Sequence, residues 1–118
     1  MTDPFSSQLM RGSLDLLVLS VFADGAKYGY LIQQQLRDGT ADRVKLQAGT
    51  LYPLLHRLQD EKLIKSRWDS STGRRRKWYE LTAAGHKRLK QQARQWDAYA
   101  QCMRGFVQPI LDTAPGTA

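Results

Sequence analysis

Apolar residues in the first forty positions recur about once per helical turn, which predicts two helices. The first covers about residues 7–23, and Gly25 is expected to stop it. Its apolar positions are Leu9, Leu14, Leu17, Val18, Val21 and Phe22. The second covers about residues 28–38, with Gly39 placed for a left-handed C-cap. Its inner stripe consists of Leu31, Ile32 and Leu36.

A third helix is predicted over about residues 48–62. Four leucines define its inner face: Leu51, Leu54, Leu55 and Leu58. Pro53 is tolerated only near a helix start, where its missing N–H has no partner to lose. The pattern therefore predicts that this helix begins close to Thr50, with free backbone donors and the positive end of the helix dipole there.

After Leu63 the period of the pattern changes from about 3.6 to 2, which predicts a β-hairpin. Ile64, Ser66 and Trp68 alternate with charged residues, and the same alternation returns from Lys77 to Leu81. The intervening segment 69–73 is rich in turn-forming residues. The basic run Arg74–Lys77 is expected at the tip of the hairpin. Thr82 then predicts the N-cap of a last helix.

The last helix has the most regular pattern in the chain. Its apolar positions alternate by four and three residues: Leu89, Ala93, Trp96, Ala100, Met103, Val107 and Ile110. Tyr99 and Phe106 widen this heptad-like seam, and Pro109 is expected to end or bend the helix. The seam either packs on the chain's own core or pairs with a second copy. Because the earlier elements already close a small core, we favour pairing in a homodimer.

Length and composition fit one compact globular protein. The chain has 118 residues, of which 42% are hydrophobic and 25% charged, ordinary values for a protein that buries a core. A single cysteine, Cys102, excludes an intramolecular disulfide and suits a cytoplasmic location. No apolar run approaches the ~20 residues that span a bilayer, so no membrane association is expected.

The net charge of +7 is concentrated in one segment. Residues 1–42 carry −2, residues 43–94 carry +10 and residues 95–118 carry −1. Such concentration indicates a polyanionic partner that contacts one part of the molecule. A solvated surface is the alternative, and an even spread of charge would favour it.

Three helices followed by a hairpin with a basic tip is the element order of a winged helix-turn-helix. The predicted fold class is mainly α with a small β-hairpin, comprising a winged helix-turn-helix DNA-binding domain (1–82), a C-terminal dimerisation helix (83–112) and a flexible tail (113–118). The third helix is expected in the major groove of double-stranded DNA, with the hairpin on phosphates or the minor groove. The candidate DNA-binding residues are Gln47, Thr50, Tyr52, His56, Arg57, Arg74, Arg75, Arg76 and Lys77.

These candidates have different expected roles. Thr50 and Tyr52 lie near the helix N-terminus, where hydroxyls and amides bind phosphate. Gln47 or Arg57 is placed to reach base edges. Tyr52 is alternatively a core aromatic, and His56 an ordinary surface histidine.

Five sequence blocks resemble the PadR-like transcriptional regulators. They are Arg11–Leu17, Tyr28–Tyr30, Gly49–Leu58, Gly73–Tyr79 and Leu81–Gly85, in the family's order and nearly at its spacing. The Gly-Thr-Leu-Tyr-Pro block followed by an arginine-rich hairpin is the specific combination. The resemblance implies a homodimeric repressor of nearby genes. Two third helices held about one DNA turn apart in such a dimer would bind a pseudo-palindromic operator. The resemblance also implies the compact subfamily with a single C-terminal dimerisation helix.

The resemblance further implies a small-molecule ligand at the dimer centre. In some compact members, tryptophans at this point of the C-terminal helices stack around flat aromatic drugs. Trp96 and Tyr99 are therefore candidates to bind a planar aromatic molecule, with Asp15, Asp97 or Asp112 adding attraction for a cation. Trp96 is alternatively a plain dimer-core aromatic. Cys102 is either a redox switch or, more in keeping with its neighbours, a passive thiol.

The sequence offers no evidence of catalysis. His56 and His86 stand thirty residues apart, and no metal-ligand spacing, nucleophile–base pair or nucleotide-binding loop is recognisable. We therefore expect no enzyme activity, metal or cofactor. The competing functions are binding of RNA or an anionic membrane surface, and docking of the hairpin on an acidic protein partner.

Overall fold

A computed structural model describes residues 4–113. Five α-helices and three strands follow one another along this part of the chain: α1 (Ser7–Met10), α2 (Leu14–Val21), β1 (Lys27–Tyr28), α3 (Gly29–Gly39), α4 (Ala48–Asp60), β2 (Ile64–Asp69), β3 (Arg76–Leu81) and α5 (Ala83–Leu111). The predicted tail, apart from Thr113, lies outside the described residues. None of the helices within 4–113 is long and apolar enough to cross a membrane.

The predicted first helix is wrong in one respect, because it is divided into α1 and α2. Gly12 adopts a φ of +87°, which a helix does not accommodate. The apolar period continues across this break, so the sequence pattern does not reveal it. Leu9, expected on the inner stripe, is 67% exposed on α1. A 3₁₀ turn (Phe22–Asp24) then continues α2 to Gly25.

The predicted hairpin is present and is joined by a third strand that the sequence did not predict. Strands β2 and β3 pair antiparallel from Ile64 opposite Leu81 to Asp69 opposite Arg76. The two-residue β1 adds to the other edge of β3, giving the order β1-β3-β2. Arg76 and Lys77 therefore lie in β3, and only Arg74 and Arg75 belong to the turn at the tip. We call β2, β3 and their turn (residues 64–81) the wing.

The core lies between the helices and one face of the sheet. All four leucines predicted to face inward on α4 are buried, as are Ile32 and Leu36 of α3. Leu31 is only half-buried. The left-handed residues after α3 are Ala41 and Asp42, so Gly39 is not a left-handed cap as predicted but the last helical residue.

The start of α5 is fastened to the turn between α4 and β2. Thr82 is its N-cap, as predicted: its Oγ1 accepts a hydrogen bond from the Gly85 amide (3.0 Å) and donates to the Lys62 carbonyl (2.7 Å). Pro109 lies inside α5, which ends two residues later. With 29 residues, α5 is about 44 Å long.

Gly85 is required by this junction. Gly85 is buried, and a Cβ there would overlap the backbone carbonyl of Leu63. We expect Gly85→Ala to lower the free energy of unfolding by about 2–4 kcal/mol in chemical denaturation, because a backbone group has to move. Gly105 on the same helix has open space around it and provides the control. Gly105→Ala should raise the free energy by about 0.5–1 kcal/mol, and equal effects of the two changes would contradict this account.

Candidate nucleic-acid interface

The face of α4 opposite the buried leucines is exposed and polar. Thr50, Tyr52 and His56 lie on it, and Gln47 is the N-cap, without a side-chain capping hydrogen bond. The helix begins at Ala48, the first residue of the predicted range 48–62, and not close to Thr50 as the position of Pro53 had indicated. Pro53 is therefore in the second turn rather than the first. Because proline has no backbone N–H, the Gly49 carbonyl lacks the helical hydrogen bond that any other residue at position 53 would donate.

Tyr52 joins α4 to the start of α3. Its hydroxyl lies against the Cα of Gly29, where a Cβ would overlap it, and 40% of the residue is exposed. Tyr79 of β3 is buried nearby, and burial, followed by the proximity of Tyr52, raises the pKa of the Tyr79 phenol. One side of the Tyr52 ring thus packs against the protein and the other is exposed to solvent. Tyr52 therefore has features of both predicted roles, the core aromatic and the DNA contact.

The wing turn is held by local hydrogen bonds. Asp69 Oδ1 accepts from the Ser71 amide (2.8 Å), and the Gly73 amide donates to the Ser70 carbonyl (3.0 Å). Hydrogen bonds from Ser71 lower the pKa of Asp69, and Arg67 lowers it further. Gly73 has a φ of +87°, which a residue with a side chain rarely adopts.

Aromatic rings hold the basic side chains of the wing in place. The Arg75 guanidinium lies 4.5 Å from the centre of the Trp68 ring, and that of Arg76 lies 4.4 Å from the centre of the Tyr28 ring. Lys77 Nζ is 5.7 Å from the centre of the Tyr79 ring. Stacking of this kind orders a cation without neutralising its charge.

The wing and α4 together border one open groove of about 760 Å³. The α4 helix contributes Tyr52 and His56, β1 and the start of α3 contribute Tyr28, Gly29 and Tyr30, and the wing contributes Trp68, Arg74–Lys77 and Tyr79. Six of the nine predicted DNA-binding residues thus line one surface. Tyr28, Tyr30 and Trp68 were not predicted from the sequence as part of the site. Tyr28 and Tyr30 do belong to the block Tyr28–Tyr30, which resembles the PadR-like regulators.

Arg57 has a different environment from the other candidates. Its guanidinium binds Asp15 of α2 through two hydrogen bonds of 2.6 and 2.9 Å, and Glu61 through one of 3.0 Å. The hydrogen bonds with Asp15 raise the pKa of Arg57 further above its usual value. Asp15, predicted as a ligand contact, is therefore already paired within the chain.

Beyond its first two turns, α5 carries large exposed apolar side chains. The exposed fractions are 52% for Trp96, 63% for Tyr99, 46% for Met103, 81% for Phe106 and 72% for Ile110. Leu89 differs from the rest of the predicted seam, since it packs against the chain's own core. Cys102 is exposed on this helix.

Among the described residues, no group of histidine, cysteine or carboxylate side chains is arranged to hold a metal ion. The fold and the basic groove define the class: a winged-helix DNA-binding protein with a long C-terminal helix.

Comparisons with known proteins identify the family within that class. Residues 18–91 match the transcriptional regulator PadR-like family. A transcriptional regulator of Mycobacterium tuberculosis, Rv3488, is 32% identical over 99 residues, which cover 83% of this chain and 89% of that protein. The chain belongs to the PadR-like family, whose members are transcriptional regulators and not enzymes.

Solved structures agree in fold over most of the chain. A transcriptional regulator from Clostridium thermocellum superposes with a TM-score of 0.79 at 33% identity, covering 87% of this chain and 98% of that one. A PadR family transcription regulator from Clostridium difficile gives 0.73 at 34% identity, with coverage of 81% and 99%. These similarities confirm the predicted winged-helix fold and family.

Proposed function

We propose that the protein is a homodimeric repressor that binds a pseudo-palindromic operator in double-stranded DNA and is released by a planar aromatic ligand. The observation that carries DNA recognition is the shared groove, in which the exposed face of α4 and the stacked cations of the wing border one surface. A polar helix and a basic hairpin side by side match a duplex, whose major groove admits a helix while adjacent phosphates meet the hairpin.

We assign separate tasks to the groove residues. Thr50, Tyr52 and the first turn of α4 bind phosphate, since hydroxyls and helix N-terminal amides favour anions. Arg74, Arg75, Arg76 and Lys77 bind the backbone or the minor groove beside it. Gln47 remains the candidate to read bases. His56, exposed one turn after Tyr52, extends the polar face.

The exposed apolar face of α5 supports the homodimer. A contiguous apolar surface on a small protein marks an interaction site, and the face continues over four turns with no cover from the rest of the described chain. We assign Ala93, Trp96, Ala100, Met103, Val107 and Ile110 to the dimer interface, without Leu89. Two copies joined along residues 83–112 would present two α4 helices to half-sites about 34–36 Å apart.

Footprinting on DNA that flanks the protein's own gene tests the main proposal. Protection of two half-sites, about one helical turn apart, is the expected result. Competition among duplex DNA, RNA and anionic vesicles at physiological salt tests the alternatives. Preference for RNA, or binding without any sequence preference, would favour a general basic module or an acidic protein partner. DNA as the target also implies a cytoplasmic location.

The ligand part of the proposal centres on Trp96. Its indole is half exposed on α5, one turn from Tyr99, and two copies across a dimer form a platform for a flat cation. Titration with planar aromatic cations should quench tryptophan fluorescence in the wild type and not in Trp96→Ala. A signal that survives in Trp96→Ala would assign binding to Trp68 or Trp78 of the wing instead.

A further inference from the structure

Four charged side chains on three parts of the fold form a chain of ion pairs, which we call the Arg57 network. Asp15 is on α2, Arg57 is on α4, Glu61 is the residue after α4 and Arg88 is on α5. Arg57 binds both Asp15 and Glu61, and Glu61 Oε1 lies 3.9 Å from Arg88 Nη1. The network therefore connects the helix that borders the groove with the helix that carries the exposed apolar face.

The geometry at Arg57 is that of a fixed group. Nη2 donates to Asp15 Oδ1 at 2.6 Å, and Nη1 donates both to Asp15 Oδ2 at 2.9 Å and to Glu61 Oε2 at 3.0 Å. Both protons of Nη1 are thus in use, and the planar fork meets the carboxylate with two parallel bonds. Such pairs define orientation as well as distance.

Charge balance in the network also argues against a DNA contact by Arg57. Two guanidinium groups face two carboxylates, so the cluster is neutral, in contrast with the wing, where stacking on rings leaves each cation its charge. A phosphate approaching Arg57 would also be repelled by the carboxylates of Asp15 and Glu61, which are hydrogen-bonded to it. Sequence position alone had placed Arg57 on the exposed face of α4.

The rest of α4 is held mainly by leucines. Leu51, Leu55 and Leu58 are fully buried, and apolar contacts of this kind are non-directional. They keep α4 packed on the core, while the half-exposed Arg57–Asp15 pair adds a contact of defined direction at the solvent side of α4. The Arg57–Asp15 pair therefore supplies a directional constraint on the helix that enters DNA.

We propose that Arg57 is a positioning residue, which holds α4 at a fixed angle against α2 and, through Glu61 and Arg88, against α5, and which contacts neither base nor phosphate. This inference rests on the proposed function for its DNA readout. Under this proposal, the preference for the operator over random DNA depends on the Arg57 network. The affinity for DNA of any sequence depends on the wing.

The test compares Asp15→Asn, Arg57→Gln and the double variant in binding to the footprinted site and to a random duplex over a range of salt. Each single change should weaken specific binding about tenfold, and leave random-duplex affinity and its salt slope unchanged. The double variant should bind no more weakly than Arg57→Gln alone, because Arg57→Gln already removes the link to Asp15. Asp15→Glu, which keeps the carboxylate, should retain most of the preference.

A matched control comes from the turn after α2, where the exposed Asp24 carboxylate pairs with Lys27 at 2.6 Å and does not border the groove. Asp24→Asn removes one carboxylate without touching α4 or the wing and should leave the ratio of specific to random binding unchanged. Tighter binding or a steeper salt slope in Asp15→Asn would overturn the proposal, since a freed Arg57 would then be a phosphate contact. Additive losses in the double variant would overturn it too.

Hydrogen exchange of the free protein gives a readout that does not depend on an operator. Exchange of α4 amides should accelerate in both Asp15→Asn and Arg57→Gln, relative to the wing, and stay at the wild-type rate in Asp24→Asn. Unchanged α4 exchange in both variants would refute the positioning role. Absence of sequence preference in the wild type would instead refute the proposed function.

Discussion

Alanine at Arg74, Arg75 and Arg76 together is expected to weaken binding to operator and random duplex DNA alike, and to flatten the dependence of affinity on salt. Each arginine that leaves a phosphate lowers the slope of log affinity against log salt by about 0.9. The triple variant should therefore lose about 3 from the slope for each bound wing, and affinity should fall roughly 100-fold or more at physiological salt. Titrations at four or five salt concentrations measure both effects.

The control for this experiment removes equal charge elsewhere. Lys87, Lys90 and Arg94 are exposed on α5 and lie outside the groove, so their triple alanine variant has the same net charge as the wing variant. It should retain most of the slope. A second control, lysine at the three wing positions, keeps the charge but loses the planar stacking on Trp68 and Tyr28. Equal slopes in the wing and α5 variants would remove the wing from the DNA contacts.

Long periodic patterns were the parts of the fold that the sequence predicted well. The apolar pattern of α5 runs from Leu89 to Ile110 in a helix of 29 residues. The start of the helix is marked by Thr82, whose capping bond joins residues three positions apart. The inner face of α4 and the presence of the hairpin follow in the same way from periods of 3.6 and 2, although Arg76 and Lys77, expected at its tip, lie in β3. These features depend on residues that are close together in the chain, so the spacing of apolar and polar residues is enough to predict them.

The remaining features depend on contacts between distant residues or on single backbone angles. Gly12 breaks the first helix through its own φ value, while the apolar positions on both sides still fit one helix. β1 has only two residues, too few for any alternation to be visible. Arg57 has the spacing of an exposed residue, but its partner Asp15 is 42 positions away, so its pairing emerges only when α2 and α4 are packed together.

Lysine at both Phe106 and Ile110 is expected to convert the protein to a monomer and to abolish operator binding. Phe106 is 81% exposed and Ile110 72% exposed within one chain, so neither contributes appreciably to the monomer's core. In a twofold dimer, both chains would lose both side chains. At about 1.5 kcal/mol or more for each buried apolar side chain, the loss exceeds roughly 6 kcal/mol, which is about ten-thousandfold or more in dimer affinity.

Sedimentation and DNA binding measured on the same samples separate association from folding. The wild type should sediment at twice the 13.5 kDa chain mass, and the double lysine variant at the mass of one chain with an unchanged helical circular-dichroism spectrum. Gln101→Lys with Gln108→Lys supplies the control, because both glutamines lie on the polar side of α5, where their amides bind Asp97 and Asp112. That variant should remain dimeric and bind the operator. If the Phe106/Ile110 variant were dimeric, the apolar face of α5 would not be the dimer interface, and the spacing of the two α4 helices would have to be set by another surface.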